Sequence, residues 1–308
     1  MTRFAAFLLY LLAALVARLP WRWLAGLSRR LADLAIGRAS RESRIALRNL
    51  ELVQPDAPAV QHGLLRREVM HSTVLQVFET LRLWTRPHAD NLALIREAHG
   101  VEHLDAALAA GRGVIVAAPH FGNWELLNQW LASRTPLAIL YAPPESAVGE
   151  AFLNRVRADD DAGRITQVRA DGAGVRQLFK RLAAGGVVGI LPDQQPKRGD
   201  GEFAPFFGIE ALTMTLLGRL AARSGATVLM AWCERIDGDG DRPAFALHVE
   251  PAPAAVSDPD PKASATALNA AVERIARRDP AQYQWTYKRF SLRPPDSGEQ
   301  NPYWPDCY

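Results

Sequence analysis

The sequence predicts an α/β fold: a mostly parallel central sheet flanked by helices, with an N-terminal membrane-associated helical segment. Three observations predict it. From Gly111 onward, short apolar runs alternate with helix-period segments, the rhythm that builds a parallel sheet covered on both faces. Hydrophobic residues make up 48% of the 308 residues, enough to bury a sizeable core. An uncharged run, FAAFLLYLLAALVA (residues 4–17), stands ahead of this body between Arg3 and Arg18.

That run has 14 residues, whereas a spanning helix needs about 20. It suits lying in, or dipping into, the membrane interface. LPWRWLAGLSRRLADLAIG follows, mixing Trp21, Trp23, Leu24 and Leu27 with Arg22, Arg29 and Arg30, as interfacial helices do. A signal peptide and a buried core helix are the alternatives. The first is disfavoured because Leu15 and Ala17 make a poor small-x-small cleavage site. Residues 1–50 hold nine Arg against Asp33 and Glu42, although the whole chain is only +3. Basic charge beside a greasy stretch points to an anionic membrane surface. Nucleic acid is not expected, because no zinc-finger or aromatic-interleaved basic motif is present. The arginines that follow the apolar run place the body on the cytoplasmic side.

The expected organisation is an anchor at 1–35 and a catalytic domain at 36–308. The domain comprises a helical lead-in (36–110), an α/β core (111–293) and a coil tail (294–308). SRESRIALRNLELV and LLRREVMHSTVLQVFETLRLW carry apolar residues at three and four spacings. The strand-like runs are GVIVAAP, PLAILYA, GGVVGILP, ATVLMAW and AFALHVE. The helical intervals include NWELLNQWLAS, AVGEAFLNRVRA, GVRQLFKRLAAG, TMTLLGRLAARSG and ATALNAAVERIARR.

HFGNWE (120–125) carries the chemistry. It places His120 and Glu125 where an apolar strand becomes a helix, the position at which open α/β sheets set reactive groups. A carboxylate near an imidazole fixes its tautomer and raises its basicity. Neither neighbour is Ser or Cys, so the nucleophile would be a hydroxyl of the substrate. Gly122 permits close backbone approach, and the amides at Gly122 and Asn123 are candidates to receive an oxyanion. GILPDQQP places Asp193 and Gln194 after another strand, on the same sheet edge as His120 if both strands are parallel; an ordinary Pro/Asp turn is the other reading. Lys197 and Arg198 beside it suit an anionic head group. Arg155, Arg157, Arg164 and Arg169 are either phosphate or carrier ligands or a solvated face neutralised by Asp159, Asp160 and Asp161. FAPFFGIEALTMT offers Phe206, Phe207 and Thr213 as a hydrocarbon groove or as core, with Thr213 and Thr215 positioned to cap the next helix. QYQWTYKRFSLRP suits a lipid–water boundary. No HExxH, GxSxG, P-loop or GxGxxG stands at a useful position. No metal set is visible, and Cys233 and Cys307 form no disulfide framework.

RIALRNLELV, GRGVIVAAPHFGNWE, GGVVGILPDQQP, FAPFFG and QYQWTYKRF together resemble the late acyltransferases of lipid A biosynthesis. The resemblance covers nearly the whole chain and implies a glycerolipid-acyltransferase-like fold and an O-acyltransferase of the His-x4-Glu type. It implies that His120 deprotonates the hydroxyl of a 3-hydroxyacyl chain on an anionic glycolipid, with Glu125 orienting the imidazole. The donor implied is acyl-acyl carrier protein, with acyl-CoA as the other thioester and no bound cofactor. It implies a monomer on the cytoplasmic face of the bacterial inner membrane. Where the family often has Tyr-Arg-Pro, this chain has Tyr141-Ala142-Pro143, so Arg155 or Arg157 would have to supply that contact. The alternatives are another hydroxylated lipid as acceptor, a phospholipid or a glycosylated phosphatidylinositol, or a non-catalytic lipid-binding member of the fold.

Overall fold

The computed structural model describes residues 2–308 except 142–143, 145, 159–163 and 296, and excludes the side chains of Arg157 and Ala158. Seven strands form one sheet: β1 (Ile95–His99), β2 (Val114–Ala117), β3 (Leu137–Tyr141), β4 (Ile165–Arg169), β5 (Val187–Ile190), β8 (Thr227–Ile236) and β9 (Ala244–Pro251). Their order is β1-β9-β8-β2-β5-β3-β4. Every pairing is parallel except the β8–β9 hairpin. A separate two-stranded ribbon, β6 (Gly201–Phe206) with β7 (Ile209–Met214), is antiparallel.

All four residues of β2 are buried. Val114 and Val116 face one apolar cluster, and Ile115 and Ala117 face the other, so this strand is sandwiched, as a near-continuous apolar run requires. On one side lie α6 (Val101–Ala109) and α7 (Trp124–Arg134), the latter burying Leu126, Leu127 and Leu131. Each such leucine contributes roughly 1.5–3 kcal/mol of burial. On the other side lie α9 (Gly172–Ala183), α10 (Leu216–Ser224), α11 (Pro261–Ala276) and the β6–β7 ribbon. The lead-in helices are α3 (Arg41–Val53), α4 (Ala59–Thr85) and the short α5 (His88–Leu92); α8 (Ala147–Ala158) follows β3.

At the N-terminus, α1 (Thr2–Ala17) and α2 (Trp21–Gly37) meet at a bend of 107°. Among the described residues no single helix is long and apolar enough to cross a membrane, although this bent pair meets the length and composition test together. The pair exposes Phe4, Leu8, Leu12, Leu15, Trp23 and Leu34 to solvent. The tail beyond Pro294 contains no helix or strand among its described residues. It is nevertheless anchored: the buried Tyr303 hydroxyl donates to Asn49 Oδ1 at 2.5 Å and accepts from the Phe290 N–H at 3.2 Å.

Candidate active site

β2 and β5 are neighbours in parallel register, with Ala117 opposite Ile190. His120 and Asp193 each stand three residues beyond those positions, so equal advance past the same sheet edge brings them together. The imidazole Nδ1 lies 2.7 Å from Asp193 Oδ1, and the His120 backbone N–H donates to Asp193 Oδ2 at 2.9 Å. Both carboxylate oxygens therefore grip one residue. Burial alone would push the Asp193 carboxyl up; the His120 charge and hydrogen bonds outweigh it and hold it below the usual carboxylate range. With Nδ1 donating to Asp193, Nε2 carries the lone pair. It meets the Gln194 side-chain nitrogen at 3.2 Å, which also donates to Gln284 Oε1 at 3.1 Å. Trp124 packs edge-on to the imidazole at 4.9 Å.

The imidazole's hydrogen-bonded carboxylate is thus that of Asp193, whereas the sequence assigned this work to Glu125. The reason is local. The Glu125 side chain leaves the first turn of α7 into a small cavity shared with Trp84, His88, Asn128, Ile139 and Val156. Glu125 is buried there, at a helix N-terminus that favours a negative charge.

Gly122 and Asn123 also take roles the sequence did not assign. Their amides donate to the Gln282 and Cys233 carbonyls at 3.1 and 2.8 Å, so neither is open to an oxyanion. Gly122 has φ +60°, and a Cβ there would sit 1.9 Å from the Cys233 carbonyl oxygen. Its freedom serves the approach of β8 rather than of a ligand. Asn123 is the N-cap of α7, its Oδ1 accepting from the Leu126 N–H at 3.2 Å, a contact worth about 1 kcal/mol.

A buried ionic network fixes this junction from behind. Glu79 of α4 receives Arg235 and also the Asn123 Nδ2 at 3.2 Å, while Gln76 donates to the Gly122 carbonyl at 2.8 Å. Removing one partner of such a buried pair costs about 3–5 kcal/mol. From the other side, the QYQW segment bridges the strand end: Gln284 N–H donates to the His120 carbonyl at 3.0 Å, and Phe121 pairs with Tyr283. Burial, then the nearby Asp193 charge, pushes the Tyr283 phenol well above its ordinary range, so it stays neutral beside the carboxylate. The motif asparagine of RIALRNL, Asn49, holds this segment by donating to the Trp285 and Tyr287 carbonyls at 2.6 and 2.9 Å.

The remaining predicted residues lie elsewhere. Phe206 is 1% exposed and packs with Phe207, Tyr283 and Phe290. Thr213 is fully buried, its hydroxyl bonded to Ala211, Asn269 and Arg289. Neither lines a groove, because alternate residues of the β6–β7 ribbon turn inward onto α11 and the segment 283–290. Nor does Thr213 or Thr215 cap α10 through its side chain: Thr215 is the N-cap residue but makes no such bond. Phe207, with φ +50°, forms the ribbon's turn and donates its N–H to Glu273 at 2.7 Å. Arg155 stacks on Phe7 and Tyr10 of α1, at 5.2 and 4.7 Å, rather than joining His120. The Arg157 side chain and the Ala142-Pro143 pair lie outside the described residues. Among the described residues no group of three or more His, Cys, Asp or Glu is placed to hold a metal ion.

The site thus holds a carboxylate-gripped imidazole at the edge of a mostly parallel sheet, with no Ser or Cys bonded to it among the described residues, in a chain whose relatives are acyltransferases. Residues 1–291 match the family described as "Bacterial lipid A biosynthesis acyltransferase", and the chain belongs to that family. It is 28% identical over 281 residues to the lipid A biosynthesis palmitoleoyltransferase of Escherichia coli (strain K12), covering 90% of this chain and 88% of the relative. The lauroyltransferase of the same organism is 26% identical, over 91% and 89%. The phosphatidylinositol mannoside acyltransferase of Mycobacterium tuberculosis (strain ATCC 25618 / H37Rv) is 54% identical over 144 residues, 46% of this chain and 44% of the relative.

Proposed function

We propose that the enzyme transfers a fatty acyl group from acyl-acyl carrier protein to the hydroxyl of a 3-hydroxyacyl chain on a lipid A precursor. The observation that carries this reading is the His120–Asp193 pair: Nδ1 is engaged at 2.7 Å, and Nε2 meets the Gln194 amide at 3.2 Å, with no Ser or Cys bonded to it among the described residues. Such a base needs a substrate that brings its own hydroxyl.

The acceptor hydroxyl takes Gln194's place at Nε2. As its oxygen attacks the thioester carbonyl, Nε2 accepts the proton and Asp193 stabilises the imidazolium. The displaced Gln194 amide donates to the oxygen of the tetrahedral intermediate. Collapse breaks the carbon–sulfur bond, and the proton on Nε2 passes to the leaving thiol. Acyl-CoA would serve the same chemistry. The apolar faces of α1 and α2 hold the enzyme on the cytoplasmic leaflet, next to the lipid acceptor.

A second reading keeps this chemistry and changes the acceptor to a glycosylated phosphatidylinositol. The observation that favours it is the 54% identity to the phosphatidylinositol mannoside enzyme over nearly half the chain. The test is mass spectrometry of lipids from cells lacking the gene, complemented with wild type or His120→Ala. Loss of one secondary acyl chain from lipid A, restored by wild type alone, supports the first reading. Intact lipid A with an under-acylated phosphatidylinositol glycolipid supports the second. Restoration by His120→Ala would sink the assignment of the base.

A further inference from the structure

The outer face of α2 carries a feature that acyl transfer does not use. Beside the bend at Pro20 lies a concavity of about 440 Å³, bounded by Arg22, Trp23, Gly26, Leu27 and Arg30. Arg22, Gly26 and Arg30 recur every four residues, which sets them along one side of the helix. The two arginines are separated by eight residues, about 12 Å along the axis. Each side chain spans roughly half of that gap, so both guanidiniums can close on a single group seated over Gly26. Neither Arg22 nor Arg30 has a hydrogen-bond or ion-pair partner among the described residues, whereas Arg67 on α4 forks onto Asp33 of α2 at 2.6 and 2.8 Å. Gly26 leaves the space between them open: a Cβ there would meet nothing within 4 Å.

The flanks of the notch are apolar. Trp23 is 64% exposed and Leu27 40% exposed, and Leu31, Leu34 and Leu19 continue the exposed stripe. Two unpaired cations above an apolar stripe match one chemistry: a phosphodiester at the headgroup level with acyl chains beneath it. We infer that Arg22, Gly26 and Arg30 form a binding notch for the phosphate of an anionic bilayer phospholipid. The occupant is a lipid of the membrane rather than the lipid being acylated. The inner face of α2 (Trp21, Leu24) packs on Leu75 and Phe78 of α4, and it is α4 that reaches Gly122 and Asn123. One whole helix therefore separates the notch from His120. The inference rests on the membrane docking of α1 and α2 proposed above, not on the identity of the acceptor.

Vesicle flotation of the full chain tests it, using phosphatidylcholine vesicles with and without phosphatidylglycerol at fixed salt. Wild type is expected to favour the anionic vesicles. Arg22→Gln/Arg30→Gln should lose that preference, by about five-fold per arginine, and keep its binding to phosphatidylcholine. Gly26→Leu retains both charges and adds apolar surface, so unspecific attraction would bind as well or better, whereas a filled notch loses the anionic preference. Wild-type behaviour in Gly26→Leu, or an undiminished preference in the double variant, would overturn the notch. Failure of wild type to float with either vesicle would remove the docking on which it depends.

Discussion

Asp193→Asn separates the role of the imidazole's partner from mere packing, because the substitution keeps shape and changes only one hydrogen-bonding group. The His120 N–H requires an acceptor at 2.9 Å, so the new amide must turn its oxygen there. Its NH2 then faces Nδ1, across the gap that is now 2.7 Å. A donor in that position forces Nδ1 to accept, and the imidazole proton moves to Nε2. The base is left without a lone pair towards the hydroxyl. The comparable wrong-tautomer change in serine proteases lowers kcat about 10⁴-fold, so the variant should lose about 10³–10⁴-fold in kcat with KM little altered. The assay is single-turnover acyl transfer from a purified acyl thioester to the lipid acceptor, with Glu125→Gln alongside. An Asp193→Asn enzyme within ten-fold of wild type, beside an inactive Glu125→Gln, would refute the reasoning and return the orienting role to Glu125. A second readout is stability. Because the native carboxyl is held below its ordinary value, its ionisation stabilises the fold above about pH 4. That contribution is lost as pH falls through the depressed native value. Asp193→Asn should therefore show a flatter decline of Tm in acid than wild type.

Gln194→Leu should lower kcat about 10²-fold with KM nearly unchanged if its amide serves the transition state; a raised KM with intact kcat, in the same steady-state assay, would limit Gln194 to ground-state binding. Gly122→Ala should fail to accumulate as folded protein, because its Cβ would stand 1.9 Å from the Cys233 carbonyl oxygen at a φ of +60°. A urea midpoint close to wild type would show that β8 can withdraw without cost.

The strands buried on both faces were legible as apolar runs, and their alternation with helices implied the sheet. β1 (IREAH) and β4 (ITQVR) were not: both sit at sheet edges, mostly in contact with solvent, so their polar residues carry no strand-like pattern. The β6–β7 ribbon was hidden for a different reason, since two adjacent phenylalanines at its turn look like an exposed loop. His120 stood out because a short motif joins strand to helix. Asp193 was expected on the same sheet edge, but its pairing with the imidazole was not, because nothing in linear order says that β5 rather than β8 or β3 lies beside β2. The 73-residue separation of His120 and Asp193 closes only once strand order is known. Glu79 and Arg235, 156 residues apart, were silent for the same reason.

The pairing of His120 with Gln284, and of Gly122 with Gln282, has a consequence for biogenesis. These contacts join positions separated by more than half the chain, and long-range contacts form late. During synthesis, β2 and α7 leave the ribosome well before residues 282–285 exist, so the nascent enzyme carries a histidine whose surroundings are unfinished. The helices proposed as the anchor, α1 and α2, emerge before β2, so the docking proposed for them can precede closure of the site. Competence thus arrives only once residues 282–285 have been made. A ribosome stalled upstream of Gln282 would display a protein with its His120 surroundings incomplete.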